Sequence, residues 1–291
     1  MKKAALVLSG GGARGIAHIG DIEELLQRKV DIKAIAGTSM GAVVGGVYAA
    51  GKLFEFKEWL LTLDKRKVIH LVDFTFSGQG LIKGDRVFNT MREFIEDVNI
   101  EDLPIPYSAT ATDILNRKEV VFKKGSLFDA MRASVSIPTV FTPFELNKKL
   151  LVDGGVVNNI PVSNVTKKNG DKLVVSNVNA IIPPFALKST KAAKEKKESA
   201  YQARMKQFQK HLQKINPINS KDNDQLGFFS LIDKTLSFMM QSMAELHMEK
   251  FEPDMHIKIS RDTCSTFDFF KAEELIEVGK LATRKAFEEM D

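Results

Sequence analysis

The pentapeptide Gly37-Thr38-Ser39-Met40-Gly41 fits G-x-S-x-G, the pattern of a serine on a sharp strand-to-helix turn whose flanking glycines, Gly37 and Gly41, relieve crowding. Such a serine attacks an ester carbonyl and passes through a tetrahedral oxyanion. Backbone donors aimed at that charge are worth about 10²–10³ in rate apiece. A second glycine cluster, Gly10-Gly11-Gly12-Ala13-Arg14-Gly15, offers them. If the strands before the two clusters are parallel neighbours, the N–H groups of Gly11 and Gly12 face the carbonyl attacked by Ser39, and the Met40 N–H is a further donor. The same glycines also read as G-x-G-x-x-G, a pyrophosphate cradle at a helix start. That use demands an acidic residue at the end of the next strand, and Ser39 stands there instead, with Asp31 at the opposite end. No G-K-[ST] ending follows either. A phosphate- or nucleotide-binding module on this loop, or a catalytically silent lipid binder, is the alternative reading.

A nucleophilic serine needs a base, usually histidine. The five histidines are poorly placed for it: His18 falls in the first helix, His70 before a loop, His211 and His247 in later helices, and His256 in a strand. By chain order only His256 suits a Ser, acid, His arrangement. Asp153, in LLVDGGVV, offers a carboxylate instead, although Asp-Gly between two apolar runs is also a hairpin signal. A free aspartate, with pKa near 3.9, is a weak base toward a hydroxyl, and burial among apolar residues raises its affinity for a proton.

The elements that must position these groups alternate strand and helix, which predicts a three-layer α/β/α fold around a largely parallel sheet. The pattern predicts strands over 4–9 and 32–37, and helices over 14–28, 40–50, 54–63 and 85–97. Residues 73–85 read as a long loop. IPYSATATDI and KEVVFKKG read as strands paired across Leu115-Asn116-Arg117, followed by a helix over 126–134 and a strand over 172–178. A helix over 226–250, a strand DMHIKIS and a last helix over 270–289 complete the chain.

At 291 residues and 44% hydrophobic, the chain can bury an ordinary globular core, read here as one domain over 1–291. The single cysteine, Cys264, cannot form an internal disulfide and reads as a buried bystander. The apolar run AALVL is too short for a signal-peptide core, and no stretch is long enough to span a bilayer, so the expected location is the cytoplasm.

The net charge of +5 is concentrated. Residues 188–214 hold nine Lys/Arg against Glu195 and Glu198, with a thin stripe of Tyr201, Met205, Phe208 and Leu212. We read 185–225 as a basic helical insertion, with 188–214 either a solvated helix or a peripheral contact with anionic membrane. No recognition motif accompanies the charge, which argues against nucleic acid. Phe74, Phe76, Phe141, Phe144 and the four methionines of FMMQSMAELHM are apolar material for covering an acyl chain, or for ordinary core packing.

Four segments in order, LSGGGARGIAHIG, IAGTSMGAVVGGVYAAG, IPYSATATDILNRKEVVFKKGSLFDAMRASVSIPTVFTPFE and LLVDGGVVNNIPV, resemble the patatin-like phospholipases. The resemblance implies a serine acyl-ester hydrolase of phospholipase A or lysophospholipase type, acting on lipid esters without cofactor or metal. It implies Ser39 as nucleophile, Asp153 as base and Gly10, Gly11 and Gly12 as the oxyanion loop. Arg14 and His18 match family positions, Arg14 to order the loop and His18 to pack, and SVSIPTVF forms the wall beside the dyad. Residues 185–225 have no counterpart in the resemblance.

Overall fold

A computed structural model describes residues 1–71, 83–138, 140–187 and 228–290. The basic helix expected over 188–214, His211, and the pair Phe74 and Phe76 lie outside the described residues. The chain divides into two compact units, residues 1–185 with 239–291, and residues 186–238.

KAALVL at Lys3–Leu8 (β1) is apolar on both faces, and such a strand is stable only mid-sheet with both faces covered. Residues Ala4 to Leu8 are fully buried. On one side β1 pairs in parallel with Asp31–Thr38 (β2), and on the other with Lys172–Ala180 (β7). Tyr107–Asp113 (β3) extends the parallel set beyond β2, and Met255–Ser260 (β8) extends it beyond β7. Three antiparallel strands finish the eight-stranded sheet: Lys118–Phe122 (β4) on β3, Lys149–Asp153 (β6) on β3, and Phe144–Leu146 (β5) on β6.

Helices Ala17–Gln27 (α1), Met40–Ala49 (α2), Leu127–Ser134 (α6) and Ala272–Glu288 (α8) lie over one face of the sheet. Tyr107 anchors that face by donating its hydroxyl to the Ala42 carbonyl at 2.7 Å. On the other face Val7, Leu173 and Val175 pack with Ile160, Val162 and Ala244, the last from Phe228–Glu249 (α7). The remaining helices are Leu53–Leu61 (α3), Lys65–Leu71 (α4) and Asp85–Arg92 (α5). Among the described residues no helix is long and apolar enough to cross a membrane.

Four local details depart from the sequence reading. The first helix opens as a 3-10 turn, Gly12–Ile16, before α1 begins. Residues Lys65–Leu71 form a helix that the spacing does not announce. The helix expected to reach residue 97 stops at Arg92, because Asp97 is held elsewhere: its carboxylate accepts from the Ser126 hydroxyl at 2.8 Å and from the Phe128 N–H at 3.2 Å, at the start of α6. The hairpin lies not at Asp153-Gly154 but at Asn147-Lys148, whose positive φ values of 50° and 63° form a two-residue turn between β5 and β6.

Candidate active site

Strand register brings Ser39 and Asp153 together. β4 runs along one edge of β3, while β2 and β6 share the other in succession: Thr38 pairs with Thr110, and the next residue, Ala111, pairs with Asp153. The strand carrying Ser39 ends where the strand carrying Asp153 arrives from the opposite direction. The Thr112 hydroxyl donates to the Asp153 carbonyl at 3.0 Å, and the Asp153 N–H donates to the Ser136 carbonyl at 2.9 Å.

Ser39 occupies a backbone conformation rare for any residue with a side chain, φ 54° and ψ −127°. Close packing makes the flanking glycines necessary: a Cβ on Gly37 would stand 2.4 Å from the Gly41 carbonyl oxygen, and one on Gly41 2.3 Å from that of Leu8. The turn is held from outside as well. The Ser39 N–H donates to Ser134 Oγ at 2.8 Å, and the Ser134 hydroxyl donates in turn to the Thr110 carbonyl at 2.6 Å.

Asp153 is buried. Its Oδ1 accepts from the Gly155 N–H at 2.7 Å, while Oδ2 has no hydrogen-bond partner of ordinary geometry. Burial pushes its pKa up to about 6, opposed by the nearby Ser39 hydroxyl and the Gly155 N–H. A carboxylate with that proton affinity, beside a hydroxyl on a strained turn, is chemically suited to accept the hydroxyl's proton.

The glycine loop lies against the turn: a Cβ on Gly10 would come 3.1 Å from Ser39 Cβ. The Gly10 N–H donates to the Asn159 carbonyl at 3.1 Å, which removes it from the expected oxyanion donors. Among the described residues no acceptor is found for the N–H groups of Gly11, Gly12 or Met40. Arg14 turns away from the turn. It donates to the Val178 and Cys264 carbonyls and to Asn179 Oδ1, and Asn179 donates to the Gly10 carbonyl at 2.6 Å. His18, fully buried, sits with Nε2 at 2.9 Å from the Ser9 carbonyl and Nδ1 at 3.0 Å from Ser176 Oγ and 3.2 Å from Asp21 Oδ2.

Three residues that sequence reasoning gave no role complete the site. Ser134 is one. Asn158 and Asn159 are the others: their carbonyls accept from the Thr38 hydroxyl at 2.8 Å and from the Gly10 N–H, tying the turn and the loop to the chain that follows Asp153. They stand in the quoted NNIP, but a carbonyl contact leaves no side-chain signature. From the methionine stripe, Met240 reaches the site, its terminal methyl filling the space that a Cβ on Gly155 would need.

Among the described residues no histidine is hydrogen-bonded to Ser39 or Asp153. His256 is on β8, separated from β2 by β1 and β7, roughly 14 Å at the usual strand spacing. His247 contacts Asn158 Oδ1 at 3.3 Å, and His70 lies in α4. Burial pushes the Cys264 thiol up to about 12, which disfavours the nucleophilic thiolate at neutral pH. Among the described residues no group of three or more His, Cys, Asp or Glu side chains is placed to hold a metal ion.

Comparison with known proteins accords with this architecture. The family model described as patatin-like phospholipase matches residues 6–166. An uncharacterised NTE family protein of Mycobacterium tuberculosis is 31% identical over 98% of this chain and 91% of its own length. The lysophospholipase NTE1 of Candida glabrata is 27% identical over 94% of this chain, which corresponds to 15% of that protein. The crystal structure of VipD from Legionella pneumophila aligns with a TM-score of 0.50 over 99% of this chain and 67% of its own, at 15% identity, a likeness of fold alone. With more than half of its length matched by the family model and a relative aligned almost end to end, the chain belongs to the patatin-like phospholipase family.

Proposed function

We propose that the protein is a serine acyl-ester hydrolase acting on lipid esters, of phospholipase A or lysophospholipase type, through an acyl-enzyme on Ser39 with Asp153 as base. The observation that carries this reading is the shared edge of β3, which sets a strained serine beside a buried carboxylate whose pKa is pushed up to about 6. The family and the name of the yeast relative, a lysophospholipase, support lipid esters as the substrate class.

In acylation, Ser39 Oγ attacks the ester carbonyl and its proton passes to Asp153 Oδ2. The developing oxyanion meets the N–H groups of Gly11, Gly12 and Met40, donors set before the reaction begins. Collapse expels the alcohol, which takes the proton from Asp153. Direct contact with a carboxylate dispenses with the need to hold an imidazole in one tautomer, and the raised proton affinity of Asp153 offsets the weakness of an ordinary carboxylate base. Met240 is placed to cover the carboxylate from the α7 side and to sustain its burial.

The phosphate-cradle alternative is less well supported, because Gly10 is engaged with Asn159 and Arg14 with Val178, Cys264 and Asn179. The test is intact mass after treatment with a fluorophosphonate, comparing the native protein with Ser39→Ala. One adduct that disappears in the variant is the expected result. A folded native protein that takes no adduct, with liposomes present or absent, overturns the reading.

A further inference from the structure

Asp153 Oδ2 has no hydrogen-bond donor of ordinary geometry, and the nearby Ser39 hydroxyl loses its hydrogen once acylated; Oδ2 is not alone among buried acceptors at the site. Asn159 Oδ1 lacks one too, in a residue 3% exposed. Native folds rarely leave such an atom unmatched without a functional reason. Two glycines locate it. A Cβ on Gly10 would come within 2.4 Å of Asn159 Oδ1 and 3.1 Å of Ser39 Cβ; a Cβ on Gly155 would come within 3.1 Å of that Oδ1 and 3.0 Å of Asp153 Oδ1. Asn159 Oδ1 therefore stands beside both the serine turn and the carboxylate, and both unmatched atoms are acceptors. A molecule that serves two acceptors at once needs two donor hydrogens, which water has and a monohydric alcohol lacks.

We propose that Asn159 Oδ1 and Asp153 Oδ2 together hold the water that hydrolyses the acyl-enzyme, so that Asn159 selects water over alcohols as the acyl acceptor. The inference rests on the acyl-enzyme reading above. The water oxygen bonds to the acyl carbon while one proton passes to Asp153 Oδ2 and the other O–H stays bonded to Asn159 Oδ1. Collapse of the tetrahedral intermediate breaks the bond to Ser39 Oγ. The proton on Asp153 passes to that oxygen, and the free acid leaves with both residues restored. An alcohol gives its single hydroxyl hydrogen to Asp153 and presents carbon to Asn159, leaving the amide oxygen unmatched. Acylation does not use this water.

The test is product partition in aqueous methanol with a p-nitrophenyl acyl ester, quantifying free acid and methyl ester, for the native protein and for Asn159→Leu, which is close in volume and has no acceptor. The backbone carbonyl that holds Gly10 is retained in the variant. Expected is a rise of the methyl ester to acid ratio by about tenfold, the effect of one lost hydrogen bond; both products come from one acyl-enzyme, so the ratio is independent of how fast Ser39 is acylated. An unchanged ratio in a folded variant overturns the inference. Should the variant fail to fold, the native protein decides: acid must exceed methyl ester per mole of nucleophile, and a ratio that simply follows the methanol mole fraction overturns the inference. Labelling that is absent in the native protein, or persists in Ser39→Ala, counts instead against the acyl-enzyme reading itself.

Discussion

Thr38 and Asp153 lie end to end along one edge of β3, Thr38 opposite Thr110 and Asp153 opposite Ala111. A parallel strand and an antiparallel strand thus meet head-on, and the residue after the first meets the last residue of the second. The closeness of Ser39 and Asp153 therefore follows from sheet register as well as from the turn that Ser39 occupies. The same register also buries a carboxylate whose charge the Gly155 N–H and the nearby Ser39 hydroxyl only partly stabilise.

The first prediction follows from that cost. With its pKa raised to about 6 in the folded chain, Asp153 binds its proton more tightly folded than unfolded, so folding stability falls as pH rises from about 4 through 6 and stays reduced above. A shift of this size corresponds to about 3 kcal/mol at most. Asp153→Asn is expected to abolish turnover while raising the melting temperature at pH 7–8. The gain shrinks below pH 6 and vanishes near pH 4. Thermal unfolding of both proteins across that range is the check, and a variant less stable than the native protein at pH 8 contradicts the account.

The proposed activity is expected to have the opposite dependence on pH. Only the ionised carboxylate accepts the serine proton, so kcat/KM for an ester is expected to rise with an apparent pKa of about 6 and level off above pH 7. Steady-state kinetics from pH 4.5 to 8 measure it. A midpoint near 4, where an exposed aspartate titrates, means that burial does not tune this base.

Much of this arrangement is legible in the chain, and what is not has a physical cause. β1, and β2 from Ala34 onward, announce a parallel core because they are buried on both faces, and Ser39 is readable because Gly37 and Gly41 carry the crowding of its turn. The β5 to β6 hairpin is hidden because Asn147-Lys148 adopts positive φ without a glycine, while the nearby Asp153-Gly154 mimics the stronger turn signal. Asp153-Gly154 instead leads β6 into the 3-10 turn Gly154–Val156, closed by the carboxylate on the Gly155 N–H. Gly10 reads like its neighbours until its N–H is found on Asn159, because backbone pairing between distant segments leaves no trace in residue types.

Ser134 provides a test of the turn that does not touch the reacting atoms. Its hydroxyl is the acceptor for the Ser39 N–H and the donor to the Thr110 carbonyl, all fully or nearly fully buried. Ser134→Ala strands both backbone groups, at a cost of about 1–3 kcal/mol. The expected outcome is a lower melting temperature together with slower fluorophosphonate labelling of Ser39, at unchanged affinity for a nonreactive substrate analogue. Slower labelling without loss of stability also fits; native labelling at reduced stability means that the bond supports the fold alone.

The basic segment bears on where such chemistry takes place. Lipid esters reside in aggregates, and a hydrolase that acts on them gains from being drawn to the surface. Nine Lys/Arg within residues 188–214 can supply that attraction, at about 1 kcal/mol for each charge near an anionic bilayer. Substituting Lys191, Lys194, Lys196 and Lys197 with Gln is expected to reduce cosedimentation with phosphatidylglycerol vesicles by more than tenfold, and to leave hydrolysis of a short soluble ester unchanged. Binding by the native protein should weaken steeply between 50 and 300 mM salt, where screening shortens from about 14 to 6 Å. Binding that ignores both salt and the four substitutions assigns membrane attraction to apolar insertion instead, and leaves the charge of this segment without a part in it.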